Sequence, residues 1–316
     1  MRQEKERILI VTPVFEDSKA CEQLFSELVN HFGNQVYIIA VEDGSIDHPL
    51  KKDQFKITGA NGVLINLRRN YGHQIAIAVG INHVHKIMDK DDILIIMDSD
   101  GEDIPNTIPI LIDKLKTNKF EIAVAERKKR YETLTFKTFY FFYKNLFRIM
   151  TGKKILFGNF MALKYSAVQR IVSFRGLSTH LAATILASRL RIGLCPIDRG
   201  QRYSGKSKMN LVGLVLHGFK GLMIFVEDVL VRVGIACASI AFCSFLGIMM
   251  ATILKFLGFS TPGWFSVALG ILVLMLLQTG TLALMALLLT SSRGGLADSE
   301  VKYIDLIESE DQTKEV

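Results

Sequence analysis

Ile93-Leu94-Ile95-Ile96-Met97-Asp98-Ser99-Asp100-Gly101-Glu102-Asp103 joins a short apolar run to four acidic side chains. The run is β-branched and flanked by charge, so it reads as a buried strand of a parallel sheet. The acids then stand at the carboxyl end of that strand, where open α/β sheets bind ligands. Carboxylates spaced D-x-D repel one another unless something positive lies between them. A hard divalent cation such as Mg2+ or Mn2+, carrying phosphate oxygens, would do that. The same residues would also serve as a solvated acidic turn ahead of a helix starting at Pro105, and the rest of the chain weighs on the choice.

Upstream, Ile8-Leu9-Ile10-Val11 predicts a strand that ends at Thr12-Pro13, because proline stops the ladder. A helix fits 18–32 on the spacing of Leu24, Leu28 and Phe32. Val36–Val41 predicts a second strand ending in Glu42-Asp43-Gly44-Ser45, again acid plus glycine. Asp43 suits a hydrogen bond from a base or ribose, and equally suits a turn. Gly62–Leu67 predicts a third strand. It runs into Arg68-Arg69-Asn70-Tyr71-Gly72-His73 and a helix over 73–87. Paired arginines at a strand-to-helix junction suit a diphosphate, whereas His73 is expected to cap or pack. Downstream come a helix near 105–117, a strand at Glu121–Ala125, a short strand at Gly158–Leu163, a helix at 177–190 and a last strand at Arg191–Ile197. Strand and helix alternate, and the strands end in polar, ligand-type residues. That pattern is a doubly wound α/β layer.

The remaining segments point to a membrane. Residues 133–150 mix bases with aromatics and suit a membrane interface. Residues 199–232 are basic and then amphipathic. Residues 233–254 carry no charge, Lys255 interrupts, and 256–292 are again uncharged around a turn at Gly258–Gly263. About 20 apolar residues span a bilayer core, so two transmembrane helices are predicted, near 233–255 and 265–290. Trp264 sits at the turn, where an interfacial aromatic belongs. Arg232 and Arg293 flank the outer ends, and the positive-inside bias puts residues 1–198 and the tail in the cytoplasm. Formal net charge is +7, although the tail 294–316 holds seven acids and two bases. The basic remainder fits an anionic partner. The acidic tail is expected to be disordered. Four cysteines lack metal-ligand spacing and read as reduced. Gly200–Ser207 satisfies the phosphate-loop pattern G-x-x-x-x-G-K-[ST]. It is basic rather than glycine-rich, however, and it leads into the apolar spans with no βαβ unit around it.

Thr12-Pro13-Val14-Phe15-Glu16, Glu42-Asp43-Gly44-Ser45-Ile46-Asp47, Arg69-Asn70-Tyr71-Gly72, Met97–Asp103 and Arg202-Tyr203-Ser204-Gly205-Lys206-Ser207-Lys208 form an ordered set. Together with the hairpin, the set resembles family-2 glycosyltransferases of the dolichyl-phosphate mannose synthase type. The likeness is to the bacterial branch that loads a sugar onto undecaprenyl phosphate. The resemblance implies a GT-A domain at 1–198, a juxtamembrane segment at 199–232, the two helices at 233–292 and a tail at 293–316. It implies a metal-dependent, inverting transferase in the inner membrane, using Mg2+ or Mn2+. The donor would be a UDP- or GDP-linked sugar, the acceptor a polyprenyl phosphate, with no nucleic acid. By position, Pro13, Glu16, Asp43, Arg69, Asn70 and Asp98 would hold the nucleotide sugar, and Asp98 and Asp100 the metal. Arg127 would lie near the phosphates, and Arg199, Arg202, Ser207 and Lys208 would grip the lipid phosphate. The apolar hairpin could support a homo-oligomer.

Two departures from the family pattern stand out. Gly158-Asn159-Phe160 replaces Gly-Asp-Phe, and Glu102 replaces a glutamine in the metal motif. Asp103 is then the remaining candidate base for a hydroxyl acceptor. A lipid monophosphate has a second pKa of about 6 and needs no base near pH 7. Alternatives are a glycosyltransferase with a glycan or lipid-linked hydroxyl acceptor, and a non-catalytic membrane protein that binds a nucleotide sugar.

Overall fold

The computed structural model describes residues 6–117, 119–127, 134–203, 211–259, 261, 263–293 and 303–313. The elements run β1 (Ile8–Val14), α1 (Ser18–Phe32), β2 (Val36–Glu42), α2 (Lys52–Thr58), β3 (Gly62–Leu67), α3 (His73–Ile87), β4 (Ile93–Ile96) and α4 (Ile108–Lys116). They continue with β5 (Ile122–Arg127), α5 (Leu134–Thr151), β6 (Phe157–Lys164), α6 (Tyr165–Ile171), α7 (Leu181–Ser188) and β7 (Ile192–Ile197). The chain closes with α8 (Leu211–Met223), α9 (Val226–Phe256), α10 (Trp264–Arg293) and β8 (Ile307–Gln312).

The strands form one eight-stranded sheet in the order β7-β5-β6-β4-β1-β2-β3-β8. β1 pairs in parallel with β2 and with β4, and β2 with β3. The sheet is mixed, because β6 runs antiparallel between β4 and β5, and β8 antiparallel to β3. Strands covered on both faces read as continuous apolar runs, which is why Ile8–Val11 and Ile93–Ile96 lack polar alternation. One face packs on α3, α6 and α7 through residues such as Leu9, Val41, Ile77 and Ile185. The other packs on α1, α2 and α4 through Ile10, Phe25, Phe55 and Leu111. The predicted helices at 18–32 and 73–87 and the strand at 62–67 have those bounds. α2 and α6 were not anticipated. Each has only seven residues, too short to show helical periodicity.

Two expectations are corrected. Arg191–Ile197 is not the last strand, and the acidic tail is not wholly disordered. β8 pairs with β3 from Val63↔Gln312 to Leu67↔Ile307. Its composition, Ile-Glu-Ser-Glu-Asp-Gln, hides the pattern, because acidic residues are tolerated on an exposed edge strand. The segment is anchored rather than loosely laid. Thr313 N and Oγ1 donate to Gly62 O at 3.1 and 2.9 Å, and Asn66 Nδ2 donates to Ser309 Oγ at 2.9 Å.

The chain divides into two compact units. One comprises 1–144, 154–224 and 300–316, and the other 145–153 and 225–299. In the second, α9 and α10 are long and apolar enough to cross a membrane, each with a window of mean hydropathy 2.2. Their side chains are mostly uncovered, with Ile235, Phe242, Met250 and Leu274 exposed. A soluble protein rarely leaves so large an apolar area bare. Small residues bring the helices together: Gly234 faces Ala286, and Gly247 faces Leu272. Gly258 and Gly263 take positive φ in the turn between them. Lys255 Nζ lies 4.2 Å from the centre of the Phe265 ring, which gives that charge a partner at the turn.

Phe25 is fully buried against Phe55, their rings 4.7 Å apart between α1 and α2. Phe25→Ala is expected to destabilise the protein by about 3–5 kcal/mol, read as a lower unfolding midpoint in denaturant for detergent-purified protein.

Candidate active site

The carboxyl ends of β1, β2, β3 and β4 and the loop after β7 build the site. Asp43 follows β2 and is 2% exposed. Its Oδ1 accepts the Tyr71 N–H at 2.7 Å and its Oδ2 the Gly72 N–H at 2.9 Å. One carboxylate thus ties the end of β2 to the loop that follows β3. Burial raises the Asp43 pKa, and the two donors pull it part of the way back. Gly44 makes the approach possible: its φ is +69°, and a Cβ there would lie 2.4 Å from the Arg69 carbonyl carbon. Arg69 itself is exposed, its guanidinium 4.2 Å from the centre of the Tyr71 ring, and Asn70 beside it is also exposed.

Glu16 takes a left-handed φ of +53° just beyond β1. Its carboxylate accepts main-chain N–H groups of Ile46, Asp47 and His48. The Ile46 donor leads in holding its pKa below the usual range. Glu42, to which the sequence attached no role, is buried and accepts from Ser45 and from Leu50 N at 2.7 Å. Pro13 is buried in β1 opposite Val41. Of the residues expected to hold a nucleotide, Glu16 and Asp43 therefore shape its loops, and Arg69 and Asn70 present side chains to solvent.

The acidic turn is knit to two other segments, the start of α3 and the loop after β7. Asp103 is 4% exposed and accepts the Asp98 N–H at 2.9 Å, so it clamps the turn. Asp98 Oδ1 lies 3.3 Å from His73 Nε2. Asp100 Oδ1 accepts the Glu102 N–H at 3.0 Å, and its Oδ2 meets Arg202 at 2.8 Å. Glu102 is paired with both Arg199 and Arg202. The loop carrying these arginines is also docked by its backbone. Gly200 N donates to Glu102 O and Tyr203 N to Asp100 O, each at 2.9 Å. The Tyr203 ring covers Gly101, and its hydroxyl donates to Glu27 Oε2 at 2.7 Å. Arg199 and Arg202, expected to grip a lipid phosphate, lie against the acids. Ser207 and Lys208 lie outside the described residues, as does the Lys206 of the phosphate-loop pattern. Arg127 ends β5, its backbone opposite Ile197.

Asn159 on β6 reaches the same place. Its Nδ2 is 2.9 Å from His73 Nε2, and its Oδ1 is 3.4 Å from Gln74 Nε2. Gln74 Oε1 in turn accepts the Leu181 N–H at 2.6 Å. Behind it, His180 stacks on His217 of α8 with centroids 4.3 Å apart, and burial lowers the His180 pKa to about 3. For His73, burial opposes the charge, but Asp98 leads the neighbouring carboxylates in outweighing it and the pKa rises. His73 was expected only to cap or pack, and it instead bridges Asp98 and Asn159. No sequence signal marked the His180–His217 pair, which depends on tertiary packing.

Asp98 and Asp100 offer the hard carboxylate oxygens that Mg2+ and Mn2+ take. Among the described residues no group of three His, Cys, Asp or Glu side chains could hold an ion by itself. Two carboxylates with the remaining positions left to ligand oxygens and water is the usual Mg2+ pattern, so the residues fit such an ion.

Residues 9–172 match the family model described as glycosyl transferase family 2. The chain belongs to that family. An uncharacterized glycosyltransferase of Synechocystis sp. is 29% identical over 279 residues, 84% of each chain. An undecaprenyl-phosphate 4-deoxy-4-formamido-L-arabinose transferase of Edwardsiella ictaluri is 24% identical over 66% of this chain and 64% of its own. Glucosyl-3-phosphoglycerate synthase from Mycobacterium tuberculosis, solved with Mn2+, UDP and glucosyl-3-phosphoglycerate, is similar in structure. Its TM-score is 0.51 at 15% identity, over 71% of this chain and 80% of that one. That likeness bears on the fold, which is GT-A. In this family-2 glycosyltransferase the acidic turn and the Asp43 clamp occupy the strand ends where the fold binds ligands.

Gly44 and Gly59 both have a φ of +69°, but Gly59 is left-handed helical and a Cβ there meets nothing within 4 Å. Gly59→Ala should cost only the left-handed strain of about 1–2 kcal/mol. Gly44→Ala is expected to cost clearly more, because the Arg69–Asn70 backbone must also move. Paired unfolding midpoints check this, and equal shifts would contradict it.

Proposed function

We propose that this glycosyltransferase moves one sugar from a nucleotide diphosphate to a polyprenyl phosphate, with inversion, at the cytoplasmic face of a membrane. The observation that carries the reading is the meeting of Arg199 and Arg202 with Asp100 and Glu102. Guanidinium forks suit phosphate oxygens as well as carboxylates. A site that pairs them with D-x-D acids can hold a diphosphate and an acceptor phosphate side by side. The named acceptor of the Edwardsiella ictaluri relative supports the lipid phosphate, and the Mn2+ and UDP bound by the mycobacterial neighbour support the donor and the ion.

In this reading Pro13, Glu16, Asp43, Arg69, Asn70 and Asp98 form the nucleotide side, with Asp43 acting through the backbone it holds. Asp98 and Asp100 would hold Mg2+ or Mn2+, which when bound neutralises charge developing on the departing diphosphate. Arg202 and Arg199 turn from the acids to phosphate oxygens as the ligands arrive, and Ser207, Lys208 and Arg127 add to the phosphate side. An acceptor phosphate oxygen attacks the anomeric carbon as the bond to the diphosphate oxygen breaks, so no proton needs to be removed. Asn159 and His73 then position rather than deprotonate. For a hydroxyl acceptor, a base is needed, and Asp103 is already engaged by Asp98 N.

The α9–α10 hairpin supports the membrane location. β8 returns to the sheet after the hairpin, so two crossings bring the chain back to the side from which it left. Positive charge near the outer ends, such as Arg232, favours the cytoplasm for that side.

The test offers purified protein radiolabelled UDP- and GDP-sugars with undecaprenyl phosphate and Mg2+ or Mn2+. Label is expected in the organic phase with one donor. Asp100→Asn should reduce the rate by about 10²-fold or more, and EDTA should abolish it. Label that appears only with a glycan acceptor would move the assignment to a hydroxyl. A second expectation separates the chemistries: Asn159→Asp should leave the rate to a phosphate acceptor within about threefold, whereas a base-dependent reaction would gain on the order of 10²-fold.

A further inference from the structure

The donor side of the site rests on a segment far away in sequence. The loop Arg68–Gly72 is gripped on one flank by Asp43, through Tyr71 N and Gly72 N, and by the close approach of Gly44. Its other flank is held by the returning tail. Arg68 N donates to Leu306 O at 3.1 Å, and Arg68 Nε donates to Asp305 O at 3.2 Å. The β3–β8 ladder runs without a break up to Asn66 and shifts register between Asn66 and Leu67. The tail therefore leaves strand geometry where β3 gives way to the loop, and the Arg68 bonds continue the grip beyond the ladder. Tyr303, Leu306 and Ile307 pack against the core face that carries α3. Asn66 Nδ2 adds bonds to Ser309 Oγ and to Asp311 Oδ2 at 3.3 Å. His83 of α3 faces Glu310 at 3.7 Å. A strand that merely covered an edge would need the ladder alone. This segment also reaches past the ladder to the residues that Asp43 orients.

We propose that Tyr303–Gln312 is a positioning segment for the nucleotide, setting the Arg68–Gly72 loop against Asp43 so that donor affinity depends on the tail. The inference rests on reading that loop as the nucleotide site. Held from both flanks, the loop presents Arg69 and Asn70 in one arrangement, and the ligand loses less freedom in finding it. Held by Asp43 alone, the loop's first residue, Arg68, is released from two bonds. The effect falls on binding and leaves the reacting groups at the acidic turn untouched, so it belongs in KM and not in kcat.

The experiment uses the full chain in detergent with Mn2+ and measures UDP and GDP binding by calorimetry and donor KM and kcat by transfer. Ile307→Pro forces Leu306, whose carbonyl accepts the Arg68 N–H, out of its helical turn toward extended backbone, without altering Arg68 or the acidic turn. It is expected to weaken nucleotide binding on the order of tenfold and to raise donor KM in parallel, with kcat within about twofold. Asp43→Ala should weaken binding as well. If wild type and Asp43→Ala differ in affinity while Ile307→Pro binds like wild type, the tail does not position the nucleotide and the inference is overturned. If wild type binds neither nucleotide, the reading of the pocket fails and the inference falls with it. Hydrogen exchange on wild type covers the case in which Ile307→Pro fails to fold. Nucleotide should slow exchange at both 68–72 and 306–312. Slowing confined to 68–72 would overturn the coupling.

Discussion

Four carboxylates in six residues cannot coexist at a strand end without partners, and much of the site is the set of partners that answers them. Three of the acids recruit other segments, and the fourth holds the turn itself. Asp98 meets His73 at the start of α3, Asp100 meets Arg202, Glu102 meets Arg199 and Arg202, and Asp103 takes the Asp98 main-chain N–H. Like charges packed this closely raise one another's pKa values unless compensated, so the turn is stable only where α3 and the β7 loop converge on it. The geometry of a parallel sheet makes the convergence possible, because β1, β2, β3 and β4 all end along one edge. Asp43 applies the same logic at the next strand with backbone donors in place of cations.

Under the proposed function Arg202 has two roles that exclude one another in time. Its guanidinium satisfies Asp100 and Glu102, and on that proposal those bonds loosen before the same fork holds phosphate. Exchange of a carboxylate partner for a phosphate partner changes little in net hydrogen bonding. The loop need not unfold to make it, since Gly200 and Tyr203 keep their main-chain bonds to Glu102 and Asp100. Gly101 and Gly200 matter here for their lack of side chains. A Cβ at Gly101 would meet the Tyr203 ring, and one at Gly200 would meet the Gly101 carbonyl at 2.5 Å.

The sheet was legible wherever the sequence showed a continuous apolar run ending in acid or glycine, and the two long apolar helices were legible from charge-free length alone. What escaped shares a physical cause. α2 and α6, at seven residues each, are shorter than the window of about 11–18 residues over which helical periodicity shows. β8 is an edge strand, so neither hydrophobicity nor alternation was required of it. At the site, sequence located the acids, Asp43 and the arginines, but it could not show that Asp43 and Glu16 spend their carboxylates on main-chain N–H groups. Such bonds span 28 to 32 residues and leave no local pattern. His73 and Asn159 lie 86 residues apart and become partners only when β6 inserts beside β4.

The pairing of Asn66 with Ser309 closes a separation of 243 residues, and the chain between them includes both long apolar helices. During synthesis β3 is therefore an open edge for most of the time the protein takes to emerge. It is sealed only when β8 arrives, after the hairpin has been made. Long-range pairing of this kind forms late and slowly, and an uncovered edge is a template for aggregation until it is paired. β8 thus ties the finishing of the sheet to the making of the α9–α10 hairpin that precedes it. A chain that stalls or is clipped before β8 keeps that edge open.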